Sequence, residues 1–121
     1  MNSKIFWITY KNVPILYTNW SNFPTEKEFL DATKETTNFV VEQNLGNLLE
    51  LVDVTDSVTT TEIIKASKEA AILTKPFNKK KAVIGISGLK RILLNAVNRI
   101  ASEKIVAFET KEQALEWLIK L

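Results

Sequence analysis

The strongest constraint on the fold is an alternation. Three short, largely apolar runs at 48–54 (LLELVDV), 81–86 (KAVIGI) and 104–108 (KIVAF) have the length and β-branched content of buried strands, and a helical pattern separates each from the next. After the first run, Thr59-Thr60-Thr61-Glu62 spells a capping box and opens a helix through Ile63, Ile64, Ser67, Ala70, Ala71 and Thr74, stopped by Pro76. After the second, Leu89, Ile92, Leu93, Ala96, Val97 and Ile100 form the cleanest 3.6-residue stripe in the chain and predict a helix over 88–100. After the third, Thr110-Lys111-Glu112-Gln113 is another capping box, followed by Ala114, Leu115, Trp117, Leu118 and Leu121 on one face. Strands separated by helices of this length need crossover connections, which build a mostly parallel sheet.

The first forty residues extend the pattern. Residues 4–10 and 13–20 are rich in Ile, Trp, Tyr, Thr and Phe with Lys11-Asn12 as turn material between them, so they predict a hairpin. Pro14 places its strand's start at an edge or a strand beginning, because proline cannot donate to a ladder. Thr25-Glu26-Lys27-Glu28 is a further capping box, leading into a helix to about Glu42 with Phe29, Ala32, Thr36, Phe39 and Val40 inward and Gly46 as the break. The expected fold is therefore α/β: a single domain with a mixed, mostly parallel five-stranded sheet, β-β-α-β-α-β-α-β-α, and helices packed on it. A chain of 121 residues with 45% apolar and 25% charged side chains can build one such core.

Composition also removes chemistry. With neither cysteine nor histidine, disulfide scaffolds, thiolate zinc sites, cysteine nucleophiles and histidine-based triads are excluded. Carboxylate, lysine, hydroxyl and tyrosine chemistry remain, but no constellation of them demands a reaction. The expectation is a protein that is not an enzyme, with no cofactor and no metal. The apolar start Ile5-Phe6-Trp7-Ile8 is broken by Thr9, Lys11 and Asn12, too early for a signal peptide or a membrane span, so a cytoplasmic location is expected.

In open α/β sheets ligands gather beyond the carboxyl ends of the strands, and two loops belong there. One is Ser87-Gly88-Leu89-Lys90-Arg91. Three of the four predicted helices carry an acidic or amide residue in the first turn, which suits the helix dipole; this one carries Lys90 and Arg91 instead. A bound anion would make the cations favourable, with Ser87 and the N–H groups near Gly88 converging on it; the alternative is an ordinary Ser87 cap with solvated charges. The other loop runs from Asp53 through Thr55, Asp56, Ser57, Thr59 and Thr60. Asp53 and Asp56 with neighbouring hydroxyls offer a hard-cation or phosphoacceptor site; the alternative is that Asp53 bonds its own loop while Ser57 or Thr59 caps the next helix.

Charge is segregated, net −4 over residues 1–74 and +7 over 75–104. Lys79-Lys80-Lys81 lacks interleaved aromatics and reads as a solvated loop ahead of a buried strand, so no nucleic-acid partner is expected. Among the aromatics, Trp7 and Tyr17 are expected in the core, and Trp20 and Phe23 in the core or rimming an apolar pocket or a homodimer contact. Leu94 falls off its helix's apolar stripe and is expected at the surface.

The element order, together with the segment from Ala82-Val83-Ile84-Gly85-Ile86-Ser87-Gly88 through Asn98 and the ending Phe108-Glu109-Thr110-Lys111-Glu112-Gln113-Ala114-Leu115-Glu116-Trp117-Leu118, resembles the STAS superfamily. The likeness is to its small stand-alone bacterial branch related to anti-sigma-factor antagonists and, by fold, to CRAL-TRIO lipid-binding domains. It implies a regulatory module working through a protein partner in bacterial signalling. It also implies a phosphorylatable hydroxyl in the loop after the central strand, within an Asp-Ser-Ser-Gly type motif. Here that stretch is Asp53-Val54-Thr55-Asp56-Ser57-Val58-Thr59-Thr60, without the Ser-Ser-Gly, and Ser57, Thr59 and Thr60 are the loosely corresponding acceptors. A second expectation is a small anionic or lipid-like ligand, its head at Ser87, Lys90 and Arg91 and its apolar part against the hairpin aromatics.

Overall fold

The hairpin is closed by two consecutive left-handed residues, Lys11 (φ 49) and Asn12 (φ 69), the two-residue turn whose twist matches that of the flanking strands. Strands β1 (Ile5–Tyr10) and β2 (Val13–Asn19) pair antiparallel through it. The computed structural model describes residues 5–22, 25–86, 91, 94–95, 97–99 and 105–120. Helix α1 (Glu26–Gln43) leads to β3 (Leu48–Asp53), α2 (Thr61–Thr74) and a 3-10 turn (Lys75–Phe77) lead to β4 (Asn78–Ile84), helical residues at 91, 94–95 and 97–99 (α3) precede β5 (Ile105–Phe108), and α4 (Lys111–Ile119) follows. The mixed α/β single domain expected from the alternation is the one observed.

The sheet order is β1-β2-β3-β4-β5, with β2 to β5 parallel. Crossovers of one hand, each stepping to the next position in the same direction, put their helices on a common face. Phe29 and Ala32 of α1, Ile63 and Ala71 of α2 and Val97 of α3 accordingly pack on Val52, Val83 and Ile105. Helix α4 lies on the opposite face, with Ala114, Leu115 and Leu118 against Ile15, Leu51, Ala82 and Ile84. Side chains along β3 alternate between the two, so Leu48, Glu50 and Val52 point towards α1–α3 while Leu49 and Leu51 point towards α4.

The caps follow the sequence with two adjustments. Thr110 forms the full reciprocal box, its hydroxyl accepting from Gln113 N at 3.1 Å and its own N–H donating to Gln113 Oε1 at 3.3 Å. The box expected at Thr59–Glu62 is corrected: Thr60 is the N-cap, accepting from Ile63 N at 3.2 Å, so an isoleucine holds the third position. Any of three successive threonines could cap this helix, and the conformation of the preceding loop selects the middle one. Helix α1 stops at Gln43, with Asn44 in the left-handed conformation (φ 51), before Gly46 is reached.

Three further expectations change. Lys79–Lys81 lie within β4, not ahead of it, and two of them are engaged: Lys80 Nζ donates to the Trp117 carbonyl at 2.9 Å and to that of Lys120, while Lys81 faces Glu50. Leu94 packs against the core shared by α1–α3. Trp7 is 42% exposed and Phe6 47%, because β1 is the edge strand, paired only with β2; Phe6 rests on Tyr17 with ring centroids 5.2 Å apart.

Candidate functional site

The loop after β3 is held from three sides. Trp20 N donates to the Asp53 carbonyl and Asn22 N to that of Thr55, both at 2.8 Å, and Val54 N donates to Ile84 O at 3.0 Å. The Asp53 carboxylate turns back on its own loop: Oδ1 accepts from Thr55 N at 2.9 Å and from Thr55 Oγ1 at 2.6 Å. Tyr17 donates to Oδ2 at 3.4 Å. Burial, then the negative charge of Asp53, raise the Tyr17 phenol above its ordinary value. Asp56 is exposed in the left-handed conformation (φ 57), and among the described residues no group of three potential metal ligands forms.

The hydroxyls of this loop are unequal. Ser57 is buried and donates to the Trp20 carbonyl, Thr60 caps α2, and Thr55 is exposed but bonded to Asp53. Gly85, at φ +88, lies so close to Thr55 that a Cβ there would sit 2.6 Å from Thr55 Cα and closer still to its N and Oγ1. The exit of β4 and the turn after β3 are thus in backbone contact. Of the expected anion site, Ser87, Gly88 and Lys90 lie outside the described residues; Arg91 is exposed on α3.

Behind the loop the sheet and α1–α3 do not close completely. A cavity of about 90 Å³ remains between them. Its walls are apolar: Trp20 and Phe29 on one side, Val52, Val54, Val83 and Ile105 from the sheet, and Ile63, Leu94 and Val97 from the helices. Among the described residues, Thr33, Thr59, Ser67 and Lys81 supply the polar lining. Thr33 returns its hydroxyl to the Phe29 carbonyl at 2.9 Å, leaving Thr59, Ser67 and Lys81 to meet an occupant. Engineered apolar cavities of about 150 Å³ stay dry and take up benzene, so a smaller apolar molecule, or the end of a longer one, matches this volume. Trp20 does line the apolar space, as one of the expectations for it had it.

Lys81 marks one part of the lining. Its Nζ lies 3.8 Å from Oε1 of Glu50, with side-chain exposures of 13% and 1%. Thr18 Oγ1 donates to Glu50 Oε2 at 3.3 Å. This buried pair was not among the residues singled out from the sequence, although a signal was present: Glu50 is the one charge between Leu48 and Val52, at the parity that faces the helices.

No protein-family model matches the chain, and no curated protein matches it in sequence. Among solved structures it is similar to an uncharacterized protein of the DUF3478 family with a SpoIIAA-like fold from Shewanella loihica PV-4, at 17% identity and a TM-score of 0.70, over 94% of this chain and 91% of that one. Five sequential strands with three helices on one face and a fourth on the other are thus a SpoIIAA-like arrangement, and the STAS-like fold implied by the sequence resemblance is the fold this chain has.

Proposed function

We propose that this STAS-like module is a non-enzymatic binding protein whose ligand is a small apolar molecule held between the sheet and helices α1–α3. The cavity of about 90 Å³ carries the reading. An apolar occupant would restore the packing the void lacks, and the gain would appear as affinity. The Asp53 carboxylate is engaged by Thr55 and Tyr17, and the Ser57 and Thr60 hydroxyls by the Trp20 carbonyl and the Ile63 N–H, which favours a structural role over chemistry on a substrate.

The test uses xenon as an apolar probe. Methyl NMR under xenon pressure is expected to shift Val52, Val83, Ile105 and Val97. Ser67→Leu, which adds an apolar side chain into the same space from a helix that tolerates leucine well, is expected to remove the response. Absence of any methyl response in the wild type would overturn the reading. An extra non-covalent mass in the native mass spectrum of protein from its own host, lost on denaturation, would point to the natural ligand.

A second reading is a regulatory module with a protein partner. It is favoured by the exposure of Thr55, Asp56 and Arg91. Charge reversal by Asp56→Lys with Arg91→Glu is expected to abolish partner capture while leaving stability unchanged, and an unaltered set of captured partners would refute it.

A further inference from the structure

Helices α1 and α2 run side by side in the same direction, because each returns the chain between parallel strands on one face of the sheet. A surface groove between them is lined by Lys34, Thr37 and Asn38 of α1 and by Ala66, Glu69 and Leu73 of α2, so Lys34 lies level with Glu69. From that level the two exposed stripes can be compared turn by turn. The stripe of α1 carries Lys27, Asp31 and Lys34 before it becomes apolar at Val41; that of α2 carries Glu62, Lys65 and Glu69 before Ile72 and Leu73. At each level the signs are opposite.

Little of this pattern is used within the chain. Lys27 and Asp31 pair with each other at 2.8 Å, but among the described residues Lys34, Glu62, Lys65 and Glu69 form no ion pair, even though Lys34 and Glu69 share one groove. Leu73 and Ile72, 57% and 50% exposed, are the most exposed large apolar side chains among the described residues. An apolar patch rimmed by charge marks a contact surface, and a second copy fits this one by symmetry. A two-fold axis parallel to the helices and placed over the groove keeps each level and exchanges the sides, so α1 of one copy lies on α2 of the other. We propose that the protein self-associates through its α1–α2 face as a two-fold homodimer, with Lys34 of each copy against Glu69 of the other and the apolar ends of the stripes meeting beyond them. The 14 residues of α2 extend about 21 Å and two packed helices span roughly 20 Å, a face at the small end of standard interfaces, so a dissociation constant of the order of 10–100 μM is expected.

Sedimentation equilibrium of the full chain tests this. The wild-type mass is expected to rise from the 13.7 kDa of one chain towards twice that value between about 5 and 500 μM. Lys34→Glu sets two like-charge contacts in the dimer, one on each side of the axis, and so does Glu69→Lys; either alone is expected to weaken association about tenfold or more. Mixed one to one, the two variants carry opposite charges at both contacts, and association is expected to return to the wild-type level. Repulsion within one chain, or a loss of helix stability, would not be relieved by mixing. A wild-type protein that stays monomeric over the whole range, single variants that associate as the wild type does, or folded variants whose mixture stays monomeric would each overturn the proposal. Both side chains are exposed, and circular dichroism checks that the variants keep the fold. Should either not fold, Leu73→Lys, at the apolar end of the same face, is expected to abolish association, and a dimer that survives it would overturn the assignment of the face.

Discussion

Replacing Gly85 with alanine tests the contact that joins the two strand exits. The glycine adopts φ +88, where an L side chain is strained by about 1–2 kcal/mol. The added methyl would also lie 2.6 Å from Thr55 Cα, well inside van der Waals distance, and forced overpacking of this kind costs roughly 1–3 kcal/mol. The two effects act together, so Gly85→Ala is expected to destabilise the protein by about 2–5 kcal/mol. Urea unfolding followed by far-ultraviolet circular dichroism measures this directly, with the change appearing in the midpoint at an unaltered slope. A companion variant sharpens the result. Thr55→Ala in the Gly85→Ala background removes the hydroxyl and the γ-methyl, while the N and Cα atoms that meet the new methyl remain, so most of the loss should persist. A loss below about 1 kcal/mol, or full recovery in the double variant, would refute the claim that the two backbones are in contact.

Two other outcomes follow from buried polar groups. Glu50→Ala leaves the Lys81 ammonium, 13% exposed, without its carboxylate and is expected to cost about 3–5 kcal/mol, whereas replacing both members by methionine should cost far less; chemical denaturation of the single and double variants separates the two cases. Tyr17, raised by burial and by Asp53, should titrate above the ordinary phenol value of about 10. Its folded value is the higher one, so its contribution to stability is complete below the unfolded value and declines as pH rises through the folded value. Asp53→Asn in a Tyr10→Phe background should lower the ultraviolet titration midpoint of Tyr17 but leave it above the ordinary value, because burial is the larger cause; no movement would show that the carboxylate does not act on the phenol.

The strands and helices could be read because their signals are local. Leu48–Val54 needs only its own composition to declare a buried strand, and Thr110 and Gln113 need only their spacing to declare a cap. Thr59, Thr60 and Thr61 were harder, since identical side chains give no preference and the loop geometry chose among them. Lys80 shows a different limit: its role depends on carbonyls of Trp117 and Lys120, thirty-seven and forty residues away, which no local pattern connects to β4. The full extent of the cavity was beyond sequence reasoning for the same reason, as its walls come from β3, β4 and β5 and from three helices. Leu94 was assigned to the surface from its helix's own stripe, but a helix wedged between a sheet and its neighbours buries a wider arc than one stripe describes.

The sequential strand order also governs how the chain can assemble during synthesis. Each strand joins the edge left by the previous one, so the sheet can grow from β1 towards β5 as the polypeptide emerges, without inserting a late strand between earlier ones. The face that carries α1–α3 can be covered step by step during that growth. The opposite face cannot, because α4 follows all five strands in the chain. Until α4 docks, Ile15, Leu51, Ala82 and Ile84 present a continuous sticky surface on a nearly finished sheet. The strong cap at Thr110 and the clamp from Lys80 to the far end of α4 hold that last helix at both termini once it has docked, and so oppose the release that would bare this surface again to chaperones or to aggregation.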